Sequence, residues 1–95
     1  MSATPNTGRY YIHFNGRVQG VGFRFRAQVA AEAHHVTGWV RNEYDGSVSM
    51  EAQGTLADIY QMIDQLQEDR WIRIEDKYMK EIPVEAGETR FRTVY

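Results

Sequence analysis

The spacing of the apolar residues changes several times along this chain of 95 residues, and it does so in a definite order. Alternation of apolar and polar residues predicts a strand, whereas apolar residues three and four apart predict a helix. A chain of this length supports one hydrophobic core, so every predicted element has to share it. The predicted elements are strands at 9–15, 37–43, 47–53, 72–82 and 89–95, and helices at 23–34 and 55–66.

The resulting order, β-α-β-β-α-β with a further strand-like stretch, constrains the architecture. Each helix has one apolar stripe, and two such helices bury their stripes together against one face of a sheet. We therefore expect an α+β fold, the ferredoxin-like split β-α-β sandwich, with two helices on one face of an antiparallel sheet. Residues 9–95 form one domain in this interpretation, and residues 1–8 form a flexible N-terminal tail.

Local signals support several of these boundaries. Thr55 is expected to cap the second helix, with Asp58 three residues later, and Pro83 suits the end of a strand. The first helix stops near His35 without a glycine, so His35 is expected to adopt the left-handed conformation. In the strand 47–53 alternate side chains point to the core or to water, with Val48, Met50 and Ala52 inward and Ser47, Ser49 and Glu51 outward.

Composition excludes several classes of protein. The chain has no cysteine, which excludes disulfides, cysteine-ligated zinc and a cysteine nucleophile. It has no apolar run long enough to cross a bilayer and no secretory signal at its start, so we expect a cytoplasmic protein without a membrane partner. The net charge of −2 argues against a nucleic-acid partner. That sum conceals an uneven distribution, because residues 1–50 carry a net +2 and residues 51–95 a net −4.

A glycine-rich segment lies between the first strand and the first helix. Its spacing is neither the dinucleotide fingerprint nor a Walker loop, since no Lys-Ser/Thr follows it. A flexible turn is one interpretation, and a compact cradle of backbone N–H groups that binds an anion is the other. The cradle would comprise Gly16, Arg17, Val18, Gln19, Gly20, Val21 and Gly22.

Arg24 favours the anion cradle. It falls in the first turn of the predicted helix, where the positive end of the helix dipole disfavours a cation. A bound phosphoryl group would reverse that penalty, and the planar guanidinium can grip phosphate in two places. An ordinary exposed arginine is the alternative, and Arg17 and Arg26 are expected to be of that kind.

Two motifs in this part of the chain resemble the acylphosphatase family. The segment GRVQGVGFR, from Gly16 to Arg24, resembles the first signature of that family along its whole length. A second segment, Gly38-Trp39-Val40-Arg41-Asn42-x3-Gly46-x-Val48-x5-Gly54, is similar to the second signature with every spacing kept. The sequence departs from the family at His34-His35, where Leu-Gly is usual, and at Arg70-Trp71-Ile72, which lacks a Gly-Pro turn.

The resemblance implies a hydrolase that cleaves the carboxyl–phosphate bond of acyl phosphates and uses no metal or other cofactor. Arg24 matches the phosphate-binding arginine of the family, and Asn42 matches the asparagine that places the attacking water. Inorganic phosphate is then expected to be both product and competitive inhibitor, and we expect a monomer. The alternative is a domain that binds phosphate or carbamoyl phosphate, for regulation, without turnover. The sequence does not name the acyl group of the substrate.

Overall fold

The computed structural model describes residues 6–95. It contains five strands and two helices in the order expected from the apolar spacing. The elements are β1 (Thr7–Arg17), α1 (Phe23–Ala33), β2 (Thr37–Asn42), β3 (Val48–Thr55), α2 (Leu56–Gln67), β4 (Arg73–Ile82) and β5 (Phe91–Val94).

The strands form one sheet in the spatial order β4-β1-β3-β2-β5. The pairs β1–β3, β1–β4 and β2–β3 are antiparallel, as predicted. The prediction of a wholly antiparallel sheet is wrong at one edge, because β5 runs parallel to β2 with Gly38 opposite Phe91 and Val40 opposite Thr93. The sheet is therefore mixed. The long connection from β4 carries the chain back across the sheet before β5 begins, which lets β5 run in the same direction as β2.

The core lies between the sheet and the two helices. α1 packs against α2, β2 and β5, and α2 packs against β3. Phe14 of β1 meets Phe23 of α1 with a distance of 5.3 Å between the ring centroids, which anchors the start of α1 over the sheet. The inward residues of β3, Val48, Met50 and Ala52, are fully buried as predicted. Other fully buried residues of the core are Ile12, Phe14, Ala27, Val40, Ile59 and Met62.

The opposite face of the sheet is less exposed than the alternation in β3 predicts. Ser47 and Ser49 were expected in water, yet both are buried. The side chains of β1 cover them: His13 Nε2 lies 2.8 Å from the Ser47 hydroxyl, and the Tyr11 hydroxyl lies 3.0 Å from that of Ser49. The prediction of one wet face is wrong here because the covering side chains come from a neighbouring strand.

A charged cluster on the same face ties the β4–β5 connection to the sheet. Arg9 is only 2% exposed, and its guanidinium donates to Glu51 at 2.8 Å, to Gln53 at 3.1 Å and to Glu88 at 2.8 and 3.2 Å. Burial opposes the charged form of Arg9, but the hydrogen bonds with Glu88 and Glu51 outweigh it and raise its pKa. The amide of Gln53 also clamps the backbone of Glu85 through one donated and one accepted hydrogen bond.

The structure shows how the two unusual segments form turns. His35 has φ +59°, the left-handed conformation predicted for it, and the Val36 N–H donates to the Ala31 carbonyl at 2.8 Å, as in a Schellman motif. At Arg70-Trp71-Ile72, Asp69 replaces the missing Gly-Pro turn: its carboxylate accepts the Trp71 N–H at 2.8 Å.

The N-terminal boundary differs from the prediction. Residues 1–5 of the predicted tail lie outside the described residues. Thr7 and Gly8 belong to β1, where they pair with Thr55 and Gly54, so the strand begins two residues earlier than the alternation indicates. Within residues 6–95 no helix is long and apolar enough to cross a membrane.

Candidate functional site

The glycine-rich segment divides into the end of a strand and a short loop. Gly16 and Arg17 belong to β1 and pair with Ile74 and Arg73 across a bulge. Gly16 has φ +129°, and a Cβ there would lie 2.1 Å from the Arg73 carbonyl oxygen. Glycine at this position is therefore explained by the close approach of β4. The loop that faces the cleft comprises the remaining residues, 18–22.

Conformation fixes that loop. Val18 is fully buried and anchors it to the core. Gly20 and Gly22 have φ of +73° and +77°, with no atom within 3.4 Å of a Cβ built at either position. Glycine is therefore required for the backbone dihedral angle and not for space. Turns of this kind direct successive N–H groups toward one point, which suits an anion.

The first turn of α1 continues the loop and lacks a negative partner. Gly22 is the N-cap, without a side-chain hydrogen bond to the helix, and no acidic residue lies in the first turn. Arg24 is half-buried there, its guanidinium carbon 4.7 Å from the centroid of the Tyr95 ring. Among residues 6–95 Arg24 forms no ion pair, so its charge and the free N–H groups of the helix remain available to an anion.

Asn42 is the last residue of β2 and lies immediately before the hairpin turn. The turn closes with the Glu43 N–H donating to the Ser47 carbonyl at 2.9 Å and the Gly46 N–H donating to the Glu43 carbonyl at 3.3 Å. β1 and β2 are both antiparallel to β3, so they run in the same direction and finish at the same end of the sheet. Asn42 therefore lies beside the β1–α1 loop, where it is half-buried.

One cleft brings these groups together. Its volume is about 720 Å³, far larger than a phosphoryl group, so it leaves room for the rest of a substrate. Arg24 and Asn42 both line it, with Val18, Gly20 and Gly22 of the seven predicted loop residues. Gly16 and Arg17 belong to β1 and do not line it, and neither do Gln19 and Val21. The lining residues are Val18, Gly20, Gly22, Phe23, Arg24, Phe25, Gln28, Glu32, Asn42, Arg90, Phe91, Arg92, Thr93 and Tyr95.

The wall formed by β5 was not identified from the sequence. The alternation over 89–95 places Phe91, Thr93 and Tyr95 on one face, but it does not indicate which helix that face meets. In the structure the face meets α1, where the Thr93 hydroxyl donates to the Gln28 side-chain oxygen at 3.3 Å. The signal was present in the spacing, and only the parallel pairing with β2 gives it a location.

The hairpin beside the cleft carries two carboxylates with lowered pKa values. A hydrogen bond from Ser49 is the main cause for Glu43, and Arg41 adds to it. Hydrogen bonds from the Ser47 hydroxyl and N–H have the same effect on Asp45. These groups hold the turn that follows Asn42. In the described part of the chain, no group of three or more histidine, aspartate and glutamate side chains could hold a metal ion.

Comparison with known proteins agrees with the two signatures. The sequence profile of the acylphosphatase family matches residues 10–93. The chain belongs to the acylphosphatase family. An acylphosphatase of Clostridium acetobutylicum is 40% identical over 88 residues, which cover 92% of this chain and 97% of that one.

Solved acylphosphatase structures have the same fold. The crystal structure of the Bacillus subtilis acylphosphatase is 33% identical, matches with a TM-score of 0.82 and covers 92% of this chain and 98% of that one. The full-length HypF structure, in its phosphate- and nucleotide-bound form, is 27% identical with a TM-score of 0.83, and the match spans only 13% of that longer chain. The cleft of loop, Arg24 and Asn42 thus lies in an acylphosphatase domain.

Proposed function

We propose that this acylphosphatase-family protein cleaves acyl phosphates by direct attack of water on a phosphoryl group held in the cleft. Arg24 and the loop 18–22 bind the phosphoryl oxygens, and Asn42 places the water. The observation that carries the proposal is the single cleft lined by Gly20, Gly22, Arg24 and Asn42 in a chain that belongs to this family.

The cationic side of the cleft suits the charge that has to be stabilised. Phosphoryl transfer passes through a loose transition state whose negative charge is spread over three oxygens, so catalysis is mostly positioning and electrostatic stabilisation. The loop N–H groups and the start of α1 supply fixed dipoles, and Arg24, which has no carboxylate partner among residues 6–95, supplies a full charge. The Tyr95 ring against Arg24 limits the rotamers of the guanidinium and holds it at the cleft.

Asn42 suits a water-placing role because its amide both donates and accepts hydrogen bonds. It is a weak base, so in this proposal the proton of the attacking water passes to a phosphate oxygen of the substrate. The water oxygen forms a bond to phosphorus, the bond from phosphorus to the acyl oxygen breaks, and carboxylate and inorganic phosphate are released.

The leaving group explains why so few catalytic side chains suffice. A carboxylate of low pKa departs without a proton from a general acid, so the reaction needs no histidine or glutamate near the acyl oxygen. Histidines at 13, 34 and 35 do not line the cleft. His34 instead bonds Gln65 of α2 at 2.9 Å, which is a contact between the two helices.

Benzoyl phosphate is a direct test substrate. The wild type should release benzoate and phosphate, with inorganic phosphate as a competitive inhibitor. The Arg24→Ala variant should lose both turnover and inhibition by phosphate, because the cradle loses the guanidinium that lines it from the first turn of α1. Retained phosphate inhibition in that variant would remove Arg24 from the cradle. A wild type that binds phosphate without turning over benzoyl phosphate would favour a binding or regulatory domain.

We further propose that the protein acts as a monomer in the cytoplasm. The lack of cysteine and the mixed surface charge are typical of such proteins. Light scattering at assay concentration should give the mass of a single chain, 11.1 kDa, and twice that mass would contradict the proposal.

A further inference from the structure

In the loop 18–22, here called the anion loop, the side chain of Gln19 contacts the hairpin turn that follows Asn42. Its side-chain amide nitrogen lies 2.7 Å from the Glu43 carbonyl oxygen and 2.7 Å from the Ser47 carbonyl oxygen. Two carbonyl oxygens can face only the NH2 end of the amide, so Nε2 donates one N–H to each of them. Gln19 follows the buried Val18, so its backbone is held by the core.

The two acceptors belong to the hairpin turn that follows Asn42. Glu43 and Ser47 already bond each other through the Glu43 N–H at 2.9 Å. Each of these two carbonyl oxygens can accept two hydrogen bonds. One comes from a backbone N–H of the turn, from Gly46 to Glu43 and from Glu43 to Ser47. The other comes from the side-chain amide of Gln19. The turn is therefore fixed from the side of the loop by Gln19 and from the outer face by Asp45 and His13, which bond the Ser47 hydroxyl.

We propose that Gln19 is a positioning residue for hydrolysis: it ties the anion loop to the β2–β3 turn and thereby sets the distance from Asn42 to the bound phosphoryl group. This rests on the proposed function. The Gln19 side chain acts through the backbone next to Asn42, and that side chain does not touch the substrate. The loop binds the phosphoryl group, the turn carries the water-placing residue, and the two bonds of Gln19 join them.

The chemistry of the contact explains why glutamine is needed. Asparagine is one methylene shorter and would not reach both oxygens. Glutamate has nearly the same shape, but its carboxylate would face two carbonyl oxygens and repel them. Methionine fills similar volume and donates no hydrogen bond. These three substitutions therefore separate length, donor count and charge.

The first test compares Gln19→Met with wild type on benzoyl phosphate. We expect kcat to fall about 10- to 100-fold, since a misplacement of about 1 Å costs that much. Inhibition by inorganic phosphate should change less than about threefold, because the loop and Arg24 are intact. Gln65→Met is the matched control, since it also removes a partly buried glutamine bond, to His34, and it should keep the wild-type kcat. Wild-type turnover itself tests the proposed function separately.

The second test distinguishes positioning from a general structural effect. In a Gln19→Met/Asn42→Ala double variant, kcat should equal that of Asn42→Ala alone, because Gln19 acts only through Asn42. Independent, multiplied losses would overturn the proposal, as would wild-type kcat in Gln19→Met.

A third variant applies if Gln19→Met does not fold. In Gln19→Glu, the new carboxyl group gains a proton that it can donate as the pH falls. The ratio of the Gln19→Glu kcat to the wild-type kcat should therefore rise as the pH is lowered. A ratio of the two kcat values that stays constant with pH would count against the proposal.

Discussion

The Arg9 cluster gives a sharp test of what holds the β4–β5 connection, and with it one wall of the cleft, in place. In the Arg9→Met variant an unbranched apolar side chain replaces most of the aliphatic stem, and the guanidinium with its charge is removed. The loss leaves the carboxylates of Glu51 and Glu88 beside each other without their cation, in a region where the Arg9 side chain is only 3% exposed.

The structure sets the size of the effect. Removing one member of a buried ion pair costs about 3–5 kcal/mol when the other member stays buried. Here the carboxylates keep partial access to water, at 25% exposure for Glu51 and 13% for Glu88. The pair with Glu85 adds little, since its carboxylate is 65% exposed and 3.7 Å away. We therefore expect a loss of about 2–4 kcal/mol of unfolding free energy.

Urea denaturation followed by tryptophan fluorescence measures this loss. With an m value of about 1.5 kcal/mol/M, a 3 kcal/mol loss lowers the midpoint by about 2 M. Arg73→Met is the matched control: Arg73 lies exposed on β4 and forms no ion pair within the described residues, so its midpoint should shift by less than about 0.3 M. An Arg9→Met midpoint equal to that of wild type would refute the reasoning, because the cost of burying Arg9 would then cancel its hydrogen bonds.

Three further predictions follow from local geometry. His35→Gly should raise the unfolding free energy by about 0.5–1 kcal/mol, since glycine adopts the left-handed conformation without strain. In calorimetry the melting temperature should rise by a few degrees. A lower melting temperature would contradict this prediction. Because the pKa of Asp45 is lowered on folding, its contribution to stability is full above the unfolded pKa and is lost as the pH falls through the folded pKa. Ser47→Ala removes the hydroxyl bond to Asp45 and keeps the backbone N–H bond, so the wild type should lose more stability than this variant on acidification below about pH 4 in urea titrations. Equal losses would show that the Ser47 hydroxyl bond is not the cause. Turnover of benzoyl phosphate should survive exhaustive chelation, and activity that is lost in chelator and restored by a metal ion would contradict the proposed mechanism.

Much of the fold follows from local sequence signals. The helix starts, the hairpin and the Thr55 cap follow from residues that interact with near neighbours; the Asp58 N–H, for example, donates to the Thr55 hydroxyl at 3.1 Å. The left-handed His35 follows from a helix that ends without glycine. The pairing of β5 with β2 was missed because the alternation of Phe91, Thr93 and Tyr95 is the same whichever strand they pair with.

Side-chain contacts between different strands could not be predicted from local sequence signals. Arg9 is an ordinary arginine in a strand pattern until Glu51 and Glu88 meet it, from 42 and 79 residues away along the chain. Burial of Ser47 and Ser49 depends in the same way on Tyr11 and His13. Sequence motifs led to Arg24 and Asn42, whereas the two hydrogen bonds of Gln19 become visible only when the loop and the turn are placed side by side.

In the proposed mechanism Arg24 and the loop bind the phosphoryl group, whereas Asn42 places the attacking water. The most direct test is the Asn42→Ala variant with benzoyl phosphate, with inhibition by inorganic phosphate measured in the same assay. We predict that kcat falls at least about 100-fold, as for loss of a preorganised polar group, while the inhibition constant for phosphate stays within about threefold of wild type. A kcat near that of wild type would contradict the water-placing role. Loss of phosphate inhibition together with kcat would instead show that Asn42 belongs to the anion cradle.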